Sequence, residues 1–144
     1  MRAEHRLIFL LTVGYRRLQR AIEQETVAHD LTSAQAGVLF YLGRNDGALI
    51  GDVSQALDIV PSAMTGLADR MERAGLAKRR RDDADGRSQR LYLTAVGEGL
   101  GKRAATRTKV INSRLMDGFS EAEIDVVSRW LSSLQEKFPK DKDG

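Results

Sequence analysis

The sequence predicts a mainly α-helical fold with one small β-hairpin, and three observations support this. Over most of the 144 residues, apolar side chains recur in steps of three and four, the spacing of one helix face. Residues 76–93 break this pattern with a basic run and an apolar run on either side of an acidic turn, as a two-stranded hairpin does. The longest helical stripes stand near the two ends of the chain.

Two helices are predicted in the first third of the chain. The second covers residues 34–42, because Thr32 or Ser33 is a good N-cap and Gly43 with the turn at 45–47 is a stop signal. The first covers residues 4–29, where one face is apolar at Leu7, Leu11, Tyr15, Leu18 and Ile22.

The centre of the chain is predicted to hold a short strand and two more helices. The strand covers residues 48–50, and a short helix follows at 52–57. Pro61 suits the first turn of the next helix, which runs to Arg73, because its missing N–H costs nothing there. Gly75 closes that helix.

Two helices are predicted after the hairpin. Thr94 caps the first, which covers residues 95–117, and Ser120 with Glu123 forms a capping box for the second. The second ends at Pro139, and its apolar stripe consists of Ile124, Val127, Leu131, Leu134 and Phe138.

The first and last helices each carry an apolar stripe, and the small central module is too small to cover both. A second copy of the chain is the simplest cover for them. The sequence therefore predicts a homodimer in which residues 4–29 and 95–138 form dimerisation helices around a lobe at 31–94. Packing of the two end helices on each other within a monomer is the alternative.

Composition limits the class of protein. Hydrophobic content of 42% and charged content of 30% fit one globular domain. The chain has no cysteine and only His5 and His29, so no disulfide, redox sensor, metal site or cofactor is expected. No catalytic set or phosphate-binding glycine loop is present, which argues against an enzyme. With no signal peptide or bilayer-spanning stretch, the expected location is the cytoplasm.

The excess positive charge is concentrated in the hairpin, whose strands are predicted at 76–82 and 87–93. Residues 76–90 contain six basic and three acidic residues, and this difference of +3 equals the net charge of the whole chain. Strand alternation places Lys78 and Arg80 on one side, and Arg79 and Arg81 on the other. Because both sides are charged, the hairpin is predicted to project from the core.

The tip of the hairpin, residues 83–86, is followed directly by Arg87. An arginine in this place suits the narrow minor groove of DNA, whose negative potential attracts it. Asp83 and Asp85 are predicted to orient Arg87 or a neighbouring arginine through a carboxylate–guanidinium pair. An Asx turn with an incidental arginine is the alternative.

The helix that starts at Pro61 is predicted to present a slim outer face. Met64, Leu67 and Met71 should point inward. The outer face then carries small or hydrogen-bonding side chains and one cation, namely Ser62, Ala63, Thr65, Gly66 and Arg70. Such a face fits the major groove, although taken alone it equally fits an ordinary solvated face.

Helix and hairpin together predict a winged helix-turn-helix that binds DNA. The candidate contact residues are Ser62, Ala63, Thr65, Gly66, Arg70, Arg79, Arg81, Asp85 and Arg87. A winged helix used for protein docking is another possibility, but it needs no concentrated positive charge.

Four segments resemble the MarR family of bacterial transcriptional regulators. Asp85-Gly86-Arg87, followed by Leu91-Tyr92-Leu93-Thr94, is similar to the wing signature of the family. Residues 31–35 resemble the start of its second helix, and residues 60–65 and 70–76 resemble the start and exit of its recognition helix. The similarity covers essentially the whole chain.

The resemblance implies a homodimer that binds near-palindromic operators, usually as a repressor. It also implies release from DNA by small aromatic acids or phenols, bound between the dimer region and the DNA-binding lobe. Gly66 departs from the pattern, because many relatives carry arginine there, so the operator sequence does not carry over.

An effector with a carboxylate would need a cation beside aromatic walls. The first two helices offer Phe9, Tyr15, Arg16 and Tyr41 as candidates. Ordinary core or interface packing is the stronger alternative for Phe9 and Tyr15.

Overall fold

The computed structural model describes residues 6–27 and 31–140. Within them it confirms a mainly helical chain with a small antiparallel sheet. In chain order the elements are α1 (Leu7–Val27), α2 (Ser33–Arg44), β1 (Ala48–Leu49), α3 (Ile50–Ala56), α4 (Pro61–Arg73), β2 (Ala77–Arg81), β3 (Gln89–Leu93), α5 (Ala95–Met116) and α6 (Glu121–Lys137). Contacts within the chain divide it into two compact units, residues 1–107 and 108–144.

Three of the predicted helix starts are confirmed, two of them by their capping geometry. α4 begins at Pro61, as predicted. At the start of α2, the Thr32 hydroxyl accepts a hydrogen bond from the Gln35 N–H at 3.1 Å, and the Gln35 side chain accepts one from the Thr32 N–H at 3.0 Å. Ser120 and Glu123 form the same reciprocal pair at the start of α6, at 3.2 and 3.0 Å. Each pair satisfies two N–H groups that the helix leaves free.

α2 continues two residues past its predicted end, through Gly43 to Arg44. The stop comes from Asn45, whose side-chain amide donates a hydrogen bond to the Tyr41 carbonyl at 3.1 Å. A glycine inside a helix costs only about 1 kcal/mol relative to alanine, which tertiary packing readily offsets.

The strand predicted at 48–50 is one residue shorter, because Ile50 begins α3 instead. The apolar run here fits either a strand or a buried helix turn, and Ile50 packs against the core as the first residue of the helix. The hairpin strands and α5 are also slightly shorter than predicted. Of the helix predicted at 4–29, residues 4–5 and 28–29 lie outside the described residues, as do His5 and His29.

The core of the first unit lies between α2, α3, α4 and the sheet. Met64, Leu67 and Met71 all point into it and are at most 2% exposed, which confirms the predicted inner face of α4. They pack with Val38, Leu39, Leu42, Val53 and Leu91. Burial of this stripe fixes the rotation of α4 about its axis, so its opposite face must lie in solvent.

The sheet has the strand order β1-β3-β2, and all pairings are antiparallel. Arg79 lies opposite the buried Leu91, so Arg79 shares the face of the hairpin that packs toward the core. Arg80 lies opposite Arg90 on the other face, where its guanidinium stacks over the ring of Tyr92 at 5.6 Å.

The second unit holds the end of α5 and all of α6, and many of its large apolar side chains are exposed. The predicted α6 stripe is present, with Val127 and Leu131 46% and 44% exposed. No helix in the described part of the chain is long and apolar enough to cross a membrane.

Candidate nucleic-acid interface

The outer face of α4 has the small, polar character that its sequence predicts. Ser62, Ala63, Thr65 and Arg70 are exposed, and Gly66 is half-exposed among them. The Thr65 hydroxyl donates a hydrogen bond to the Pro61 carbonyl at 3.2 Å, one turn back along the helix. The hydroxyl oxygen therefore keeps its lone pairs as acceptors, and the exposed side chains of the first helical turn, Ser62 and Ala63, are small.

Arg79 joins the hairpin to α4. Its guanidinium lies 2.6 Å from an Asp69 carboxylate oxygen and 3.2 Å from Glu72 Oε1. The backbone N–H of Arg79 also donates to Glu72 Oε2 at 3.0 Å. This backbone hydrogen bond and the Arg79 side chain hold the pKa of Glu72 below its usual value, and the hydrogen bond to Glu72 raises the pKa of Arg79.

These contacts give Arg79 a role that differs from the role of the other candidate cations. Two carboxylates of its own chain already occupy its guanidinium, whereas Arg81 is exposed and makes no ion pair with any described residue. The geometry therefore favours a positioning role for Arg79, in which it sets the angle between hairpin and helix. Arg81 remains a candidate phosphate contact.

Arg90 braces the hairpin from its other face, and the sequence reasoning assigned it no role. Its Nε donates to Asp82 at 3.0 Å, and its Nη1 donates to the Gly47 carbonyl at 2.8 Å. The hydrogen bond from Arg90 lowers the pKa of Asp82. The available signal was the pairing of Arg80 with Arg90 across the strands, because two like charges in register call for a carboxylate nearby.

The prediction of an ion pair between Asp85 and Arg87 is wrong. Asp85 Oδ1 instead accepts a hydrogen bond from the backbone N–H of Arg87 at 3.0 Å, and its Oδ2 accepts one from the Ser88 hydroxyl at 3.3 Å. This is an Asx turn. It forms because the short Asp side chain lies close to the backbone N–H groups that follow it in the chain, whereas a long side chain must be ordered before it can pair. The tip is therefore ordered through its backbone.

The Arg87 guanidinium is exposed and makes no ion pair within residues 6–27 and 31–140. Two further backbone hydrogen bonds close the tip beneath it: the Ser88 N–H to the Asp85 carbonyl and the Asp82 N–H to the Ser88 carbonyl, both at 2.9 Å. Arg87 is thus an exposed charge on an ordered turn.

A groove of about 350 Å³ separates α4 from the hairpin and brings three of the predicted site residues together. Thr65, Arg79 and Arg87 line it, along with residues 49–52, Ser88 and Gln89. The other DNA-binding candidates lie outside this lining. Helix face, groove and wing tip make a continuous surface within the first unit.

The four predicted effector residues do not share one environment. Phe9, Tyr15 and Arg16 are exposed on α1, whereas Tyr41 is half-buried against the core. The Phe9 ring is stacked by Arg6 at 5.5 Å. None of the four lines the groove beside α4, and the effector pocket stays a prediction.

Comparison with known proteins agrees with this geometry. The model of the MarR family matches residues 29–88. The chain is 29% identical over 91 residues to YsmB of Bacillus subtilis, an uncharacterized HTH-type transcriptional regulator, covering 63% of this chain and 62% of YsmB. It is 26% identical over 110 residues to MdtR, an HTH-type transcriptional repressor of the same organism, covering 76% of this chain and 71% of MdtR.

A solved structure extends the likeness to the whole fold. The structure of the S. aureus MepR–DNA complex superposes with a TM-score of 0.85 at 22% identity, covering 92% of this chain and 98% of that one. The three comparisons agree: the family model, the helix-turn-helix relatives and the winged fold all indicate a transcriptional regulator. Over residues 29–88 the chain is similar to the MarR family of transcriptional regulators, a non-enzymatic family.

Proposed function

We propose that this chain is a homodimeric repressor that binds near-palindromic double-stranded DNA and leaves it when a small aromatic or phenolic acid binds. The observation that carries the proposal is the surface formed by the slim outer face of α4 and the exposed Arg87 on the ordered wing tip. The first matches the width of a major groove and the second the potential of a minor groove.

The internal ion pairs make this surface suitable for DNA. Arg79 and Arg90 tie the hairpin to α4 and to the turn before β1, so the distance between recognition helix and wing tip is set before DNA arrives. Preorganisation of this kind lowers the entropy that binding would otherwise cost. Arg81, Lys78 and Arg87 remain exposed to meet phosphates or a groove.

The exposed apolar helices support the homodimer. On α1, Ile8 is 86% exposed and Leu10 58%. In the second unit, Val126, Leu131 and Phe138 are 52%, 44% and 75% exposed. Apolar surface of this extent is costly in water, and a second copy would remove it. The proposed division is a DNA-binding lobe at 31–94, with dimerisation helices at 4–29 and 95–138.

The proposal also covers the repressor role and the effector. The relative MdtR is named as a repressor, which favours repression here. An acidic aromatic effector would find a cation and aromatic rings in Arg16, Phe9, Tyr15 and Tyr41. The place of action would be the bacterial cytoplasm, where the DNA is.

The chain is expected to be a dimer at micromolar concentration, because burial of the exposed stripes stabilises the pair. Sedimentation velocity measures this directly. Leu131→Glu, which places a charge on the stripe of α6, should shift the population toward monomer or aggregate. Ser132→Glu adds the same charge to the polar side of that helix and should leave the dimer intact. A monomeric parent at micromolar concentration would contradict the proposal.

DNA binding is expected to be selective, symmetric and strongly dependent on salt. Selection from a random pool of duplexes, followed by footprinting, should give two half-sites about one helical turn apart, roughly 10 base pairs. The slope of log affinity against log salt should change by about −0.9 for each phosphate contacted. A footprint without dyad symmetry would count against a dimer on DNA, and a protein-docking module would select no duplex.

A further inference from the structure

The space left by the missing side chain of Gly66 is taken by Arg70. A Cβ added to Gly66 would lie 3.4 Å from Arg70 Nη1, and it would meet no other atom within 4 Å outside the adjacent backbone. The two residues are four apart on one face of α4, and helical side chains lean toward the N-terminus. The guanidinium of Arg70 therefore lies back over the Cα of Gly66, in the middle of the exposed helix face.

No carboxylate stands three or four residues from Arg70 on α4, where a helical ion pair would form. Its neighbour Asp69 is held at 2.6 Å by Arg79. Among the described residues, the Arg70 side chain makes no ion pair, and it is exposed to solvent. Arg79 thus occupies the carboxylate of Asp69, and the exposed guanidinium of Arg70 remains available to a ligand of the α4 face.

We propose that Arg70, lying in the slot above Gly66, reads a guanine in the major groove and determines the operator preference of this chain. The inference rests on the proposed DNA-binding function and assigns the residue that gives it specificity. A guanidinium can donate two parallel hydrogen bonds to O6 and N7 of guanine, which no other base offers in that arrangement. Gly66 is needed because a longer side chain would fill the slot and push the guanidinium aside.

Two substitutions at Gly66 distinguish the effect of filling the slot from the effect of replacing a glycine in the helix. Gly66→Ala adds a methyl group at ordinary contact distance from Arg70, so the guanidinium keeps its place. Gly66→Gln adds a longer side chain, whose first carbons fill the slot and displace the guanidinium. Both replace a glycine in a helix by a better helix former, so neither is expected to unfold the protein. Thermal melts of both variants check this.

The test starts from the duplex that the parent protein selects. Each guanine in a half-site is replaced in turn by 7-deazaguanine, which lacks the N7 acceptor. One guanine per half-site should prove sensitive in the parent. Arg70→Lys keeps the charge but loses the paired donors, so affinity for the selected duplex should fall roughly 5- to 160-fold per half-site. The variant should also become insensitive to that guanine.

The two Gly66 variants and the double variant complete the test. Gly66→Ala, which only narrows the slot, should lose less affinity than Gly66→Gln, and Gly66→Gln should lose as much affinity as Arg70→Lys. Gly66→Gln combined with Arg70→Lys should lose little more than either alone, because both remove one contact.

Additive losses in the double variant, or a parent-like sequence preference in Arg70→Lys, would overturn the inference while leaving DNA binding intact. A parent that selects no duplex would overturn the proposed function and this inference with it.

Discussion

Arg87→Ala is expected to weaken operator binding by about 1–3 kcal/mol for each contacted half-site. Arg87 stands exposed on a turn closed by backbone hydrogen bonds, and no carboxylate of the described chain neutralises it. Insertion into a minor groove therefore needs no internal ion pair to break. Because the side chain adds nothing to the core, the melting temperature and the dimer should not change.

Lys78→Ala is the matched control, because it removes one exposed cation from the base of the hairpin rather than from its tip. It should reduce the salt dependence slightly and leave sequence preference unchanged. Asp85→Ala should cause a smaller loss than Arg87→Ala, since it frees the Arg87 N–H and the Ser88 hydroxyl and loosens the turn. If Lys78→Ala costs as much as Arg87→Ala, the hairpin acts only as a basic strand.

The elements of this fold that the sequence predicted best are those with local causes. α4 lies where Pro61 and Gly75 predicted it, and Gly75 adopts the left-handed conformation, with φ of +72°, that follows such a helix. The inner and outer faces of α4 follow from the spacing of Met64, Leu67 and Met71. Caps and amphipathic spacing act over three or four residues, so they can be recognised from the sequence without knowledge of the folded structure.

The parts that the sequence did not predict depend on packing between elements. Alternation placed Arg79 on one side of its strand, but only the packing of β2 on α4 brings it to Asp69 and Glu72. The prediction for Asp85 failed for a local reason. Its carboxylate accepts a hydrogen bond from the backbone N–H two residues away in preference to pairing with a flexible side chain. The preference of Arg70 for the space above Gly66 is likewise a property of the folded helix.

Gly97 is the position where a single methyl group is expected to do the greatest damage to stability. A Cβ there would lie far inside van der Waals distance of the Leu76 carbonyl oxygen and 2.9 Å from its carbonyl carbon. Thr94 holds the two segments together: its hydroxyl donates to the Gly75 carbonyl at 2.6 Å and accepts from the Gly97 N–H at 3.0 Å. Its own N–H donates to the Leu76 carbonyl at 3.1 Å.

Gly97→Ala is therefore expected to lower the free energy of unfolding by about 3 kcal/mol, the upper end of the usual range for overpacking, because backbone must move. Gly99→Ala is the control on the same helix. A Cβ there meets nothing within 4 Å, so that variant should gain up to about 1 kcal/mol from helix propensity. Urea unfolding at one fixed protein concentration compares the two, since a dimer's stability depends on concentration.

The turn at Gly75 and Leu76 joins α4 to β2, so Gly97→Ala should also displace the wing and weaken operator binding even where the protein remains folded. Equal stability of Gly97→Ala and the parent would show that α5 does not rest on this turn as closely as the geometry requires.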